Sequence, residues 1–337
     1  MQHSCRGVDK IRDDYLVVEW VTHAFSETLR EGAKREIPKI ANVEKFREWL
    51  APHVKRRLTA EPEVAKHIQL PPAVFETVNV EWDSKHLAYY LQAADDFAQW
   101  YRDRSDSEKR NNLAVLLAKL QAVQIALNIP QRGVEGLGAY TGMTSKQRAA
   151  VDYLVGLSAE GKKGLLYCEN PDTIRLLHRE LAARGIKSVQ FHGGISIKQR
   201  VKAKDEQFIA GDADHLLATK SSAKAGYNLP CTDVVIFYDR SWSAKTEGQA
   251  MARPRRVERK EPVKVVYFHL AGSLDIYQDQ MVAFKQDSAD AGLDWATPVK
   301  EDEEFLHLST VLANFVDDLA KLNNLSAHEM RKILKAA

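Results

Sequence analysis

The sequence predicts an α/β fold: a mostly parallel sheet with helices on both faces, extended by helical segments at either end. Three observations carry that reading. The strand candidates at 164–168, 215–219, 233–239 and 263–270 are nearly continuous apolar runs, and a strand without polar alternation is one covered on both faces. Helical patterns separate them, and strand–helix–strand alternation implies right-handed crossovers between parallel neighbours. The segments also punctuate themselves, with capping residues opening helices and glycines closing them.

The elements follow in order. A helix is expected near Val43–Leu50. After the double proline Pro71-Pro72, the stretch LPPAVFETVNVEW at 70–82 alternates and reads as a strand. Leu113, Leu116, Leu117, Leu120 and Leu127 recur at helical spacing and are expected to bury one face of a helix over 113–127. Beyond the strand at 164–168, Asn170 is placed to cap a helix with Pro171 at its first position; Ile174, Leu177 and Leu181 face inward, and Gly185 ends it. Residues 188–191 form the next strand. Ser196, with Gln199 three residues on, makes a capping box for a helix to about Ala210, stopped by Gly211. A short helix around Thr246–Met251 precedes the last strand, and another starts near Ser273. The tail from 301 begins acidic and carries Leu306, Leu308, Val311, Leu312, Phe315 and Leu319 at helical spacing, which suits a brace packed on the sheet domain. Three parts are expected: a helix-rich N-terminal extension (1–140), the sheet domain (141–290) and a helical C-terminal tail (291–337).

Composition excludes several classes. With 337 residues, 45% hydrophobic, 28% charged and 8% aromatic, the chain reads as an ordinary globular protein. No apolar run approaches the roughly 18 residues needed to span a bilayer, and the first residues carry no apolar core of a secretory signal. Cytoplasm is therefore the default location, without membrane or export. The net charge of +2 is too balanced to attract nucleic acid through the global field, so any such partner must be met locally. Cys5, Cys168 and Cys231 form no C-x-x-C pair and the histidines show no ligand spacing, so no metal site is expected.

In a parallel sheet, ligands sit beyond the carboxyl ends of the strands. After Phe191 comes His192-Gly193-Gly194, where the backbone is free to approach a phosphate closely. After Thr219 comes Lys220-Ser221-Ser222-Ala223-Lys224-Ala225-Gly226-Tyr227-Asn228, a run of hydroxyls, lysines and glycine suited to cradling an anion. Each is, taken alone, an ordinary turn of an α/β sheet. After Asp239 comes Arg240-Ser241-Trp242, and then QAMARPRRVERK at 249–260. There Arg253, Arg255, Arg256, Arg259 and Lys260 crowd together, a cluster that repels itself unless anions compensate it.

Read in order, these segments resemble the C-terminal ATPase lobe of Swi/Snf-type DNA translocases, a branch of helicase superfamily two. GLLYCEN is similar to that family's fourth-motif strand, FHGGISIKQR to the Gly-containing loop that follows, and ATKSSAKAGYNLP to the fifth motif. VVIFYDRSW matches the strand that ends in Asp and then Trp, and QAMARPRRVER the sixth motif, with Gln249, Arg253 and Arg256 in its Gln, Arg, Arg positions. Upstream, KFREWLAPHVKRRL, LPP and LAKLQAVQIALNIP resemble the family's helical segments between its two lobes. The departures are local. Ala223 and Lys224 stand near the usual paired glycines, Ser243-Ala244 replace the Asn-Pro after the Trp, and Arg259 replaces the closing Gln.

The resemblance implies a RecA-like lobe. It implies that Arg256, supported by Arg253, acts as an arginine finger, with Gly226, Asn228, Gln249 and Asp239 at the nucleotide cleft and Asp239 organising its loop. It puts Gly193, Ser196, Thr219, Lys220 and Trp242 on a rim that meets the DNA backbone. A phosphate-loop ATPase also needs G-x-x-x-x-G-K-[ST] and a magnesium-binding carboxylate pair; neither occurs in these 337 residues. In the family they belong to the N-terminal lobe. The expectation is therefore half of a motor, using ATP and Mg only with a polypeptide that carries that lobe, acting on duplex DNA through its phosphates, and inactive alone. The alternative is a non-catalytic DNA- or protein-binding module of the same ancestry.

Overall fold

Residues 16–20, 34–40, 43–53, 57, 61–68, 70–222, 227–242, 244–255, 261–293 and 308–323 are described by the computed structural model. The apolar runs do form parallel strands. Six of them, β3 (Ala73–Val80), β4 (Gly164–Cys168), β5 (Ser188–Phe191), β6 (His215–Thr219), β7 (Val234–Phe237) and β8 (Val263–Leu270), make one sheet in the order β3-β8-β7-β4-β6-β5. Every neighbouring pair is parallel. All residues of β4, β6 and β7 are buried, as continuous apolarity requires, whereas β3, at the edge, leaves Val74 and Phe75 exposed. Strands β1 (Leu16–Trp20) and β2 (Lys34–Ile40) pair antiparallel as a ribbon apart from this sheet. The fold is the expected RecA-like α/β one.

The helices are α1 (Val43–Leu50), α2 (Pro62–Ala65), α3 (Ser84–Arg102), α4 (Asp106–Asn111), α5 (Leu113–Asn128), α6 (Ser145–Ala159), α7 (Pro171–Ala182), α8 (Ile197–Lys202), α9 (Ala244–Met251), α10 (Leu274–Leu293) and α11 (Leu308–Asn323). Local chemistry sets their ends. The Asn170 side chain accepts from Asp172 N at 2.9 Å with Pro171 at the first position, and Ser196 and Gln199 close a reciprocal capping box. Helix α8 runs on into a π-helical turn, Ala203–Ile209. It stops at Gly211, where a Cβ would lie 2.5 Å from Glu206 O.

Two cores flank the sheet. The larger gathers Tyr90 and Phe97 of α3, Val123 and Leu127 of α5, Leu154 of α6, Leu177 of α7, Leu274 of α10 and Phe315 of α11 against the strands. The smaller packs Phe208 of the π turn and Ala250 of α9 on Phe191, Leu216 and Phe237. Helix α11 does pack on this body: Val311, Leu312, Phe315 and Leu319 are buried, and Tyr277 donates to Asp318 at 2.6 Å. Leu306 lies outside the described residues. On α5 the buried stripe is Leu116, Leu120, Val123 and Leu127; Leu117, expected inside, is 51% exposed because it points about 100° away from Leu116 around the axis.

A charged pair lies inside the larger core. Lys146 on α6 and Asp275 on α10 are fully buried and 2.7 Å apart. Lys146 also donates to Asn128 Oδ1 at 2.8 Å, and Asp275 accepts from Leu270 N at 3.1 Å. The pair thus ties the first turns of two helices to the ends of α5 and β8. Removing one partner leaves a buried charge uncompensated, which costs about 3–5 kcal/mol. Lys146→Met is expected to lower urea stability by that order, and Lys146→Met/Asp275→Asn to recover more than half of it. Full additivity of the two losses in denaturation curves would show that the residues do not act as a pair.

Candidate functional site

Because all six strands are parallel, the segments after β4, β5, β6 and β7 emerge along one edge of the sheet, and the sequence-predicted residues lie on them. At the centre is Asp239. Both of its carboxylate oxygens accept the backbone N–H of Glu169, at 3.0 and 3.1 Å, and the Lys220 ammonium lies 2.5 Å from Oδ1 as a close ion pair off the hydrogen-bonding axis. Lys220 N donates to Cys168 O at 3.0 Å. The segments after β4, β6 and β7 are thereby clamped together. The resemblance gives Lys220 a phosphate-contacting role, yet its side chain is 2% exposed and turned inward to Asp239.

Thr219 is likewise buried. Its hydroxyl accepts from Ser221 Oγ at 3.2 Å and pairs with Ser222 Oγ at 2.6 Å, which closes the turn after β6. Ser196 Oγ accepts Gln199 N at 3.2 Å, so its hydroxyl is spent on the helix cap. Gly193 is open: a Cβ there would meet nothing within 4 Å. Gly194 is closed, since a Cβ would press on the His192 ring at 3.0 Å, and Gly194 N donates to His192 Nδ1 at 3.1 Å. That bond makes Nε2 the protonated nitrogen, facing Gln190 Oε1 at 3.2 Å. Burial, together with Arg175 and Arg200, lowers the His192 pKa. These two arginines, on α7 and α8, were not singled out from sequence, because only the fold brings them to the His192 loop from segments on either side of it.

Two segments meet at a second rim. Leu229 N donates to Arg253 O at 3.1 Å, joining the stretch after β6 to the turn that follows α9. Tyr227 stands edge-on to Phe191, with centroids 5.0 Å apart, and Arg253 shares a small cavity with Tyr167 and Tyr227. Asn228 and Gln249 are exposed. Arg255 is spent structurally, its Nε donating to Pro71 O at 3.1 Å. Gly226 and Arg256 lie outside the described residues. Among the described residues, Arg253, Asn228 and Gln249 are the predicted nucleotide-contacting side chains on these two segments.

Trp242 is half-buried against the larger core and borders a cleft of about 430 Å³ between α5 and the ends of β4 and β7. The Arg240 guanidinium beside it is fixed by Glu247 at 2.9 Å and by Asp279, and lies 4.2 Å from the centre of the Tyr267 ring.

Comparison with known proteins fits this arrangement. Residues 145–258 match the family described as helicase conserved C-terminal domain. This stretch is a helicase C-terminal domain. Swi/Snf-type proteins are among those it is similar to. The chain is 23% identical over 271 residues to the putative ATP-dependent helicase/translocase YwqA of Bacillus subtilis, covering 78% of this chain and 29% of that protein. It is 24% identical over 237 residues to the CHD3-type chromatin-remodeling factor CHR7 of Arabidopsis thaliana, covering 68% and 19%. It is 26% identical over 241 residues to the mouse SWI/SNF-related matrix-associated actin-dependent regulator of chromatin subfamily A member 1, covering 66% and 21%. The chain thus spans less than a third of the length of these relatives. In fold it is similar to the C-terminal part of the Fun30 ATPase domain (TM-score 0.53, 15% identity, 77% of this chain and 100% of that one). It is also similar to the Sulfolobus solfataricus SWI2/SNF2 ATPase core domain (TM-score 0.52, 17% identity, 86% and 54%). No helix among the described residues is long and apolar enough to cross a membrane.

One titration reports on the interior behind this edge. His269 of β8 is buried with Nε2 unpartnered, and its pKa falls from the usual 6.5 to about 4, chiefly through burial and further through Lys146 and Arg240, against the opposing pull of Asp275. The folded state then binds fewer protons than the unfolded one between these values. This contribution to stability is complete above pH 6.5 and lost as the pH falls to about 4, roughly 3 kcal/mol in all. Urea unfolding at pH 7 and 4.5 is expected to show a smaller pH dependence for His269→Phe than for the parent. Identical pH dependence would remove His269 from the explanation.

Proposed function

We propose that this chain supplies the second lobe of an ATP-driven DNA translocase. In this reading it presents arginines to a nucleotide held mainly by an N-terminal lobe and backbone contacts to duplex DNA. The observation that carries the reading is the Leu229–Arg253 hydrogen bond, because it joins the segments matching the fifth and sixth motifs at one rim. Arg253 and Gln249 stand at that rim, and Arg256 follows Arg253 by three residues in sequence. ATP, with Mg, supplies the free energy of hydrolysis when bound. The part of this chain is electrostatic: guanidinium groups meet negative charge that grows on the transferred phosphoryl group.

For DNA, the geometry favours a narrower rim than the resemblance alone. Thr219 and Lys220 act by holding the segments after β4, β6 and β7 in register. The contacts to phosphate are then assigned to the open backbone at Gly193 and to Arg175 and Arg200, with Trp242 toward the neighbouring segment. Such contacts position a duplex without reading its sequence. Closing and opening of two lobes about a hinge would convert them into steps along DNA. The alternative, a lobe that binds DNA without hydrolysis, shares the rim but makes no use of the arginines.

Reconstitution separates the two. Mixed with an N-terminal lobe of a Swi/Snf-type relative, the chain is expected to give DNA-stimulated ATP hydrolysis, reduced about a thousandfold by Arg256→Ala and strongly by Arg253→Ala. Unchanged turnover in both variants would overturn the finger assignment. In DNA binding, Arg175→Ala and Arg200→Ala are each expected to weaken affinity and to flatten the dependence of log K on log salt by roughly one unit of slope. A slope equal to the parent's would remove these residues from the rim.

A further inference from the structure

We propose that the cleft between α5 and the ends of β4 and β7 is a pocket for a nucleobase, read by the amide of Gln278. The cleft lies where the chain leaves the sheet on opposite sides: β4 leads into α7, which joins the larger core, and β7 into α9, which joins the smaller. In open parallel sheets such a divergence is where ligands settle. At about 430 Å³ it falls within the range of small-ligand pockets, roughly 300–1,000 Å³.

Its charge argues for a neutral ligand. Asp239 is saturated by Glu169 N and Lys220, and Arg240 by Glu247 and Asp279, while the Glu169 carboxylate at the mouth is 71% exposed. No uncompensated cation among the described lining residues is left to hold a phosphate, and the excess carboxylate repels one. The hydrogen-bonding groups argue for a planar edge. Gln278 is 1% exposed, and neither its amide nitrogen nor its oxygen has a partner among the described residues. Burying both groups unsatisfied is unfavourable, and a ligand that presents an acceptor and a donor side by side relieves both at once. Adenine carries such a pair, and a glutamine amide meets it with two hydrogen bonds. Leu120 and Ile125 supply an apolar wall for the ring, and the half-buried Trp242 indole borders the rim.

The pocket rests on the nucleic-acid reading only for the source of the base, which is either a base turned out of DNA or a free nucleoside. Adenosine, which carries no phosphate, is the probe. In calorimetric titration of the full chain, adenosine is expected to bind saturably and with little dependence on salt, and purine riboside, which lacks only the 6-amino donor, about tenfold more weakly or worse. Gln278→Met is expected to lose adenosine affinity by a similar factor while its melting temperature does not fall, since an unpaired amide has been removed. Equal binding of the two nucleosides, or no saturable adenosine binding, would overturn the pocket; the nucleoside comparison needs no variant and so survives a misfolded one. Oligo-dA and an abasic strand of equal length locate the source. Preference for oligo-dA at high salt assigns the base to DNA, and equal affinity alongside adenosine binding assigns it to a free nucleoside. DNA binding without adenosine binding removes the pocket and leaves the translocase reading intact, whereas adenosine binding without DNA binding does the reverse.

Discussion

The ion pair between Lys220 and Asp239 is the constraint on which the functional edge depends. A parallel sheet delivers its carboxyl ends to one side, but hydrogen bonds between strands cease where the strands do, and the segments beyond would otherwise be free to separate. Asp239 prevents this by drawing the backbone of Glu169 and the ammonium of Lys220 onto one carboxylate. Burial makes the arrangement stringent, because a charge at this depth is tolerated only while paired. Three connections from different parts of the sequence are thus held in a fixed relation, so that a displacement at one is felt at the other two.

The same logic repeats one layer deeper. Lys146 and Asp275 lock α6 to α10, and Asn128, which accepts from Lys146, sits at the end of α5 where its backbone oxygen also accepts from Tyr238 at 2.9 Å. Tyr238 immediately precedes Asp239. A chain of buried polar contacts therefore runs from the helices of the N-terminal segment to the clamp at the sheet edge. Asp83 adds a further tie, accepting from His86 N at 2.7 Å and from Ser145 N at 3.0 Å, so that one carboxylate caps the starts of both α3 and α6. These contacts are why β3, α3 and α5 belong physically to the same body as the sheet's central strands.

The fold was legible because its signals are local. Continuous apolarity marked β4, β6, β7 and β8, and the capping residues Asn170 and Ser196 set the starts of α7 and α8. The edge position of β3 was not legible, since its alternating pattern is compatible with an edge in any sheet and its pairing with β8 is formed across about 190 residues. Among the site residues, sequence order pointed to the loops after the strands, and the structure places the Asp239 carboxylate between the segments after β4 and β6. Sequence order did not reveal that Lys220 turns inward, because a lysine in a loop carries no mark of its partner. Arg175, Arg200 and Gln278 escaped notice for the complementary reason. Each lies in a helix whose periodicity accounts for it as an ordinary helical residue, and only the packing of that helix brings its side chain to a loop or cleft.

Charge pairing also divides the edge into two chemical zones. Around the centre, Asp239 with Lys220 and Arg240 with Glu247 and Asp279 cancel internally, which leaves a cleft governed by amides and apolar walls. Toward β5, Arg175, which pairs with Asp172, and Arg200 stand near His192, whose pKa burial and these same cations lower, so an approaching anion would lessen the repulsion among them. A phosphate and a base differ in the same way, one anionic and strongly hydrated, the other neutral and planar. In the proposed reading, an edge that sorts its own charges in this manner engages both parts of a nucleotide strand without asking a single pocket to accommodate opposite requirements.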